Sequence, residues 1–225
     1  MMNMHIHIRD GINDIKHFQK FIDNGKKYDI DTFVFLEHGN RVSENHKGYL
    51  INKENINKMK ESINKIKMLN KDVVIYNGIE IDYSFDKKVR KETKNIINYG
   101  KFDYVIGGVH GYKYDKREVY FEYILDMIKN YSINIVAHIK LYDDWKKYIN
   151  YLEKIVVECE KRNVMIEINT SARSIWTEDQ LEYMLTLMKK HSVKYTIGSD
   201  AHHLETLTEN YDIIRERLLK LGEII

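Results

Sequence analysis

Seven short, apolar, β-branched runs alternate with seven segments of helical spacing from one end of the chain to the other, and that alternation leaves few folds open. The runs are MHIHI (4–8), TFVFL (32–36), VVIYNGI (73–79), FDYVIGGV (102–109), INIVA (133–137), VMIEIN (164–169) and VKYTIG (193–198), each reading as a buried strand. Apolar periodicity between them predicts helices over 12–28, 53–69, 86–99, 118–131, 144–162, 177–191 and 207–221. Thr177 with Gln180 has the form of a capping box, and Thr206 or Thr208 is expected to cap the last helix. Strict β/α alternation implies a parallel sheet covered by helices, and seven such units in 225 residues favour closure over an open sheet. The expected architecture is α/β, a distorted (βα)7 TIM-like barrel forming a single domain over 1–225. No Gly/Ser linker or fixed-period repeat interrupts it.

In such a barrel the C-terminal ends of the strands converge on the active site. Six of the ten histidines fall at those ends: His5 and His7, His38, His110, His138 and His202. Two carboxylates complete the set, Glu80 after VVIYNGI and Asp200 after KYTIGS. Histidines that only fill a core or decorate a surface scatter over helices, as His17 and His191 do. His5 and His7 alternate along one strand, so both imidazoles share a face. A lone H-x-H is a weak signal, but with its companions it points to a polynuclear metal site. Imidazole with carboxylate suits the divalent ions zinc, manganese or iron as cofactors.

Composition removes several alternatives. With 36 basic and 34 acidic residues the formal net charge is +2, which supplies no bulk drive towards nucleic acid or anionic lipid. The single cysteine, Cys159, excludes an internal disulfide and a cysteine-rich zinc site, and its helical context predicts a buried, inert thiol. MMNMHIHIRDG lacks a signal-peptide pattern, and no run reaches the ~18 apolar residues of a membrane span, so the expectation is a cytoplasmic protein with no membrane partner.

The motifs H-x-H, E-H (37–38), G-I-E-I-D-Y (78–83), G-G-V-H (107–110), A-H (137–138), E-I-N-T-S (167–171) and S-D-A-H (199–202) occur in that order over essentially the whole chain. In this the chain resembles the polymerase and histidinol phosphatase (PHP) superfamily, and within it the histidinol-phosphate phosphatases. Amidohydrolases and metal-dependent deoxyribonucleases share H-x-H and a late Asp but lack the E-H and D-x-H pairs. The resemblance implies a seven-stranded barrel holding up to three ions for phosphate ester hydrolysis. His5, His7, Glu80 and Asp200 would hold the first ion, with Glu80 bridging to a second held by His110 and His138, and His38 with His202 would hold a third. Many members carry a further histidine beyond H-x-H, where this chain has IRDGIND; Asp10, Glu37 or water would complete the third site, or only two ions bind. Relatives often have an acidic residue where this chain has Lys140, and Arg9 replaces a small hydroxyl residue.

Ions of this kind acidify water and neutralise phosphoryl oxygens, leaving the protein to bind phosphate and manage a proton. Asp200 and His202 are the candidate donors to the leaving alkoxide. Arginine's planar fork suits the remaining phosphate oxygens, and Arg173 leads, followed by Arg41 and Arg9, each with a surface ion pair as the alternative. Trp176 and Tyr112 are candidates to stack on a substrate ring, and Glu37, Asp82 and Asp115 to meet a substrate amine. The 39–52 connection is long enough to cover the site as a lid. The resemblance implies hydrolysis of L-histidinol phosphate to L-histidinol and phosphate. The alternatives are a PHP phosphoesterase acting on a nucleotide, sugar phosphate or phosphotyrosine, and a non-catalytic metal-binding module.

Overall fold

All seven β-branched runs form strands, all seven helical segments form helices, and every strand pairing among the described residues is parallel. The computed structural model describes residues 1–40, 52–110 and 116–223. The strands are β1 (Met2–His7), β2 (Thr32–Leu36), β3 (His38–Asn40), β4 (Val74–Asp82), β5 (Tyr104–Gly108), β6 (Ile135–Val136), β7 (Met165–Asn169) and β8 (Tyr195–Gly198). The helices are α1 (Ile15–Lys26), α2 (Lys53–Leu69), α3 (Lys87–Gly100), α4 (Arg117–Asn130), α5 (Ile149–Arg162), α6 (Glu178–Lys190) and α7 (Tyr211–Lys220). The unexpected strand, β3, follows β2 after a break at Glu37 and pairs with β4 as β2 does, so the two share one position in the wall. The result is a seven-position parallel barrel, as the alternation predicts.

The seam between β8 and β1 is closed in an irregular way. One parallel bridge joins Ile6 to Ala201, with His7 N–H donating to the Ala201 carbonyl at 2.8 Å. Side chains supply the rest: Asn3 Nδ2 donates to Ser199 Oγ at 2.9 Å, and Ser199 N–H donates to Asn3 Oδ1 at 3.1 Å.

Two apolar layers hold the barrel. Outward-facing Phe33, Phe35, Ile79, Ile81, Ile166 and Ile168 pack in the core that includes Phe18, Phe21 and Ile63 from the helices. Inward-facing Met4, Val34, Leu36, Ile106, Ile135 and Ala137 fill the interior, with Tyr76 and Tyr104 packed against them and meeting each other edge to face at 5.2 Å. Full burial of each Ile, Leu or Phe contributes about 1.5–3 kcal/mol. This floor raises the polar residues of the strand ends towards one mouth.

Strand β1 contains a bulge: Asn3 pairs with Phe33 and Ile6 with Phe35, so three steps on β1 span two on β2. Met4 therefore points into the barrel with the apolar floor, yet His5 and His7 point inward as well, while Ile6 and Ile8 pack outside. A regular strand would send Met4 and His5 to opposite faces.

Helix starts differ from expectation where the chain leaves a strand end. Tight 3₁₀ turns at Arg9–Asn13 and Trp145–Tyr148 take up residues expected to be helical, so α1 and α5 begin later, and α7 begins later because residues 207–210 form a turn. Neither Thr206 nor Thr208 caps α7; Asn210 stands at that position at φ +55°, and Thr206 Oγ1 donates to the His203 carbonyl instead. The Thr177–Gln180 capping box is present as expected. No helix among the described residues is long and apolar enough to cross a membrane.

Cys159 is fully buried in α5, and burial pushes its thiol up to about 12, helped by Glu158. A thiol held protonated and covered is unreactive. Ellman's reagent should therefore leave native protein unmodified over hours at pH 8 and titrate one thiol in denaturant; rapid labelling of native protein would contradict the burial.

Candidate metal centre

At the C-terminal mouth the donor atoms of three strand ends converge. His5 Nε2 and His7 Nε2 stand 3.1 Å apart. Glu80 Oε2 lies 3.6 Å from the first and 3.3 Å from the second. Asp200 Oδ1 lies 3.5 and 3.3 Å from the same two nitrogens. A tetrahedral ion with bonds of about 2.0–2.1 Å separates its donors by about 3.3–3.5 Å. These five separations therefore match the edges of one coordination polyhedron.

The other carboxylate oxygen of Glu80 faces a second group. Glu80 Oε1 is 3.0 Å from His138 Nε2 and 3.5 Å from His110 Nε2, placing Glu80 between two donor sets. A third set joins His7, His38 and His202, whose rings stack on His7 at 4.5 and 4.1 Å between centroids. His38 Nδ1 approaches Glu80 Oε2 at 2.9 Å, yet both atoms are buried without a hydrogen bond. Buried polar atoms are nearly always hydrogen-bonded. Two acceptors brought this close without a proton aligned between them have the arrangement of ligands aimed at a common cation, so the donor set fits a polynuclear metal centre. Every predicted ligand, His5, His7, His38, Glu80, His110, His138, Asp200 and His202, belongs to one of these sets.

The local field gives the same answer. Burial pushes the His5, His7 and His110 imidazoles down, but the surrounding carboxylates outweigh it: His5 rises well above its ordinary value, His7 to about 10 through Asp200, Glu37 and Glu80, and His110 to about 9 through Glu80 and Asp82. Burial would likewise raise Glu80 and Asp200, yet His38, His110 and His5 hold Glu80 far below the carboxylate range and His5 with His7 does the same to Asp200. The anionic cluster thus calls for positive charge at its centre. His202 differs, since burial and the neighbouring His7 bring it down to about 3 and leave it neutral.

Further residues orient these ligands. Glu167, fully buried, accepts from His5 Nδ1 at 2.8 Å, from the His138 backbone N–H at 2.8 Å and from Asn169 Nδ2 at 2.9 Å. Asp82 holds His110 Nδ1 at 2.7 Å, and Glu37 accepts from the Arg9 backbone N–H. A histidine whose far nitrogen is tied to a carboxylate presents the other as a ligand in a fixed tautomer. Two glycines make the room. A Cβ on Gly108 would meet His138, His110 and Glu80 at 2.7–3.0 Å, and one on Gly198 would collide with the Glu167 carboxylate. Arg9, His138 and Asp200 hold φ of +50°, +34° and +53°, a left-handed backbone that costs about 1–3 kcal/mol each.

A cavity of about 560 Å³ opens onto the centre, lined by His38, His110, His138, Asp200 and His202 and by Arg9, Lys140 and Arg173. Arg173 is exposed and makes no ion pair among the described residues. Lys140 lines the cavity wall. Arg41, Tyr112, Asp115 and most of the 39–52 connection lie outside the described residues, and so does the Asp10 side chain. Trp176 is a packing residue: it is buried and donates Nε1–H to the Ile139 carbonyl at 2.8 Å. Glu37 and Asp82 are turned to Arg9 N–H and His110, not to the cavity. Sequence reasoning passed over Glu167 because an acid inside VMIEIN looks like one polar residue in a strand; its sign was its inward register, two residues before Asn169.

Known proteins resemble this chain in sequence and in fold. The chain is 24 % identical to "Probable histidinol-phosphatase" of Clostridium acetobutylicum, covering 99 % of this chain and 93 % of that protein. The fold matches the crystal structure of histidinol phosphate phosphatase from Lactococcus lactis, solved with zinc, L-histidinol and phosphate (TM-score 0.75, 19 % identity, 99 % and 94 % of the two chains). It also matches a Listeria monocytogenes protein named as a histidinol phosphatase (TM-score 0.76, 16 % identity, 95 % and 99 %). The family model described as "Capsular polysaccharide synthesis, CpsB/CapC" matches residues 1–217. With nearly the whole chain matched and the PHP motifs assembled at one barrel mouth, the chain belongs to the CpsB/CapC family, a member of the PHP superfamily.

Proposed function

We propose that this protein is a metal-dependent phosphomonoesterase whose substrate is L-histidinol phosphate. The observation that carries the reading is the set of donor separations around Glu80, whose two oxygens face two separate ligand groups. In this reading His5, His7, Glu80 and Asp200 hold one ion, Glu80, His110 and His138 a second, and His38 with His202 a third. Divalent cations bound there supply Lewis acidity to the phosphoryl group and acidify water at neutral pH.

The chain's own groups do the rest. Arg173 and Arg9 bind phosphoryl oxygens at the cavity wall, Arg173 through its planar fork. Asp200, anionic before reaction, takes the proton of the attacking water and returns it to the leaving alkoxide. His202, neutral and with Nδ1–H donated to the Asp200 carbonyl at 2.9 Å, offers Nε2 as a ligand. The left-handed backbone at Asp200 and His138 fixes these atoms before substrate arrives.

The family's description in terms of capsular polysaccharide synthesis favours a second reading, in which the same site acts on a sugar phosphate or phosphotyrosine. One experiment addresses both: phosphate release by protein loaded with manganese or zinc, measured on L-histidinol phosphate, a sugar phosphate and phosphotyrosine. The expected result is preferential, chelator-sensitive release from L-histidinol phosphate. A preference for another ester would move the substrate, and no release from any of them would overturn the enzymatic reading.

A further inference from the structure

The cavity wall carries one carboxylate that belongs to none of the donor sets. Glu209, in the turn before α7, lines the cavity together with Arg9, Lys140 and Arg173. It forms no ion pair with any of these cations; its only described partner is the backbone N–H of Ala172, which donates to Oε2 at 3.2 Å. The neighbouring Asn210 donates Nδ2–H to the Thr170 carbonyl at 2.8 Å from a left-handed backbone. These two contacts staple the turn before α7 to the loop after β7 and hold the Glu209 side chain at the wall.

A carboxylate that lines the same cavity as three cations without pairing to any of them leaves its negative charge for something else. A sphere of about 560 Å³ is about 10 Å across, so Glu209 and the metal donors face one small ligand across a single cavity. Its two ends have opposite demands: the donors with Arg9, Lys140 and Arg173 suit a phosphoryl group, and Glu209 suits a cation.

We propose that Glu209 is a specificity-determining residue that binds a protonated amine carried a few bonds from the phosphate ester. The assignment rests on the phosphomonoesterase reading and deepens it, because it selects amino-alcohol phosphates over neutral or anionic esters. Ala172 N–H keeps one oxygen in place while the other accepts from the ammonium, a charge-assisted bond that a neutral acceptor makes more weakly.

The test compares wild type and Glu209→Gln, both metal-loaded, on L-histidinol phosphate and on the same molecule with hydrogen in place of the amine. Glutamine keeps an acceptor for Ala172 N–H, and the ratio of kcat/KM between the two substrates is independent of the folded fraction. The wild-type preference for the amine should fall about 10- to 100-fold in the variant, carried by KM and not kcat. A preference that survives the substitution overturns the assignment. Wild type that hydrolyses both substrates equally also overturns it and leaves the phosphomonoesterase reading standing, whereas release from neither substrate overturns both.

Discussion

A Glu80→Gln protein should bind fewer than one ion per chain and hydrolyse phosphomonoesters on the order of a thousandfold more slowly, a loss of about 4 kcal/mol of transition-state stabilisation. The effect is large because one side chain serves two ligand groups: Oε2 faces His5, His7 and His38, and Oε1 faces His110 and His138. Glutamine has nearly the same shape but carries no charge, and its NH₂ would present protons to nitrogens that need to offer lone pairs. The fold should persist, because Glu80 lies above the apolar floor and its backbone pairing with β3 and β5 is unaffected. Metal content by mass spectrometry, circular dichroism and turnover measure the three claims. A folded variant that keeps two ions and most of its turnover would remove Glu80 from the bridging position.

Glu167→Gln should weaken metal binding about 10- to 100-fold without touching any ligand atom. Glu167 accepts three hydrogen bonds, and an amide has one acceptor oxygen. If that oxygen keeps His138 N–H and Asn169, the NH₂ turns to His5 Nδ1 and forces the ring proton onto Nε2, the atom that faces His7, Glu80 and Asp200. The lone pair is then lost where an ion needs it. In the reverse orientation two donors face the NH₂, leaving buried N–H groups unmade at about 1–3 kcal/mol. Titration with zinc against a competing chelator measures the affinity, and thermal melts of metal-free protein measure the folding cost. Unchanged affinity would show that Glu167 does not set the His5 tautomer.

The barrel was legible because its signals are local: β-branched runs, helical periodicity and the Thr177–Gln180 box each state their element without help from distant residues. The residues gathered at the mouth were legible for the same reason, since a strand end names its own mouth residue. What was not legible depends on partners far along the chain. The bulge in β1 is invisible in MHIHI, which reads as strict alternation; it exists because Met4 is needed in the floor and His5 in the mouth. Glu167 acts through residues 29 and 162 positions away. Asn210, not a threonine, stands at the start of α7 because its amide is committed to the Thr170 carbonyl. Glu209 reaches the cavity only because that turn is tied down.

The seam between the first and last strands has a further meaning for how the molecule comes together. Asn3 and Ser199, a pair that closes it, are separated by 196 positions, so this contact carries a heavy loop-closure entropy and few backbone bonds to offset it. His5 and His7 stand on one lip of that seam and Asp200 on the other. An ion held by all three is then a clasp between the two ends of the chain: its arrival finishes the circle, and its removal is where the circle would first open.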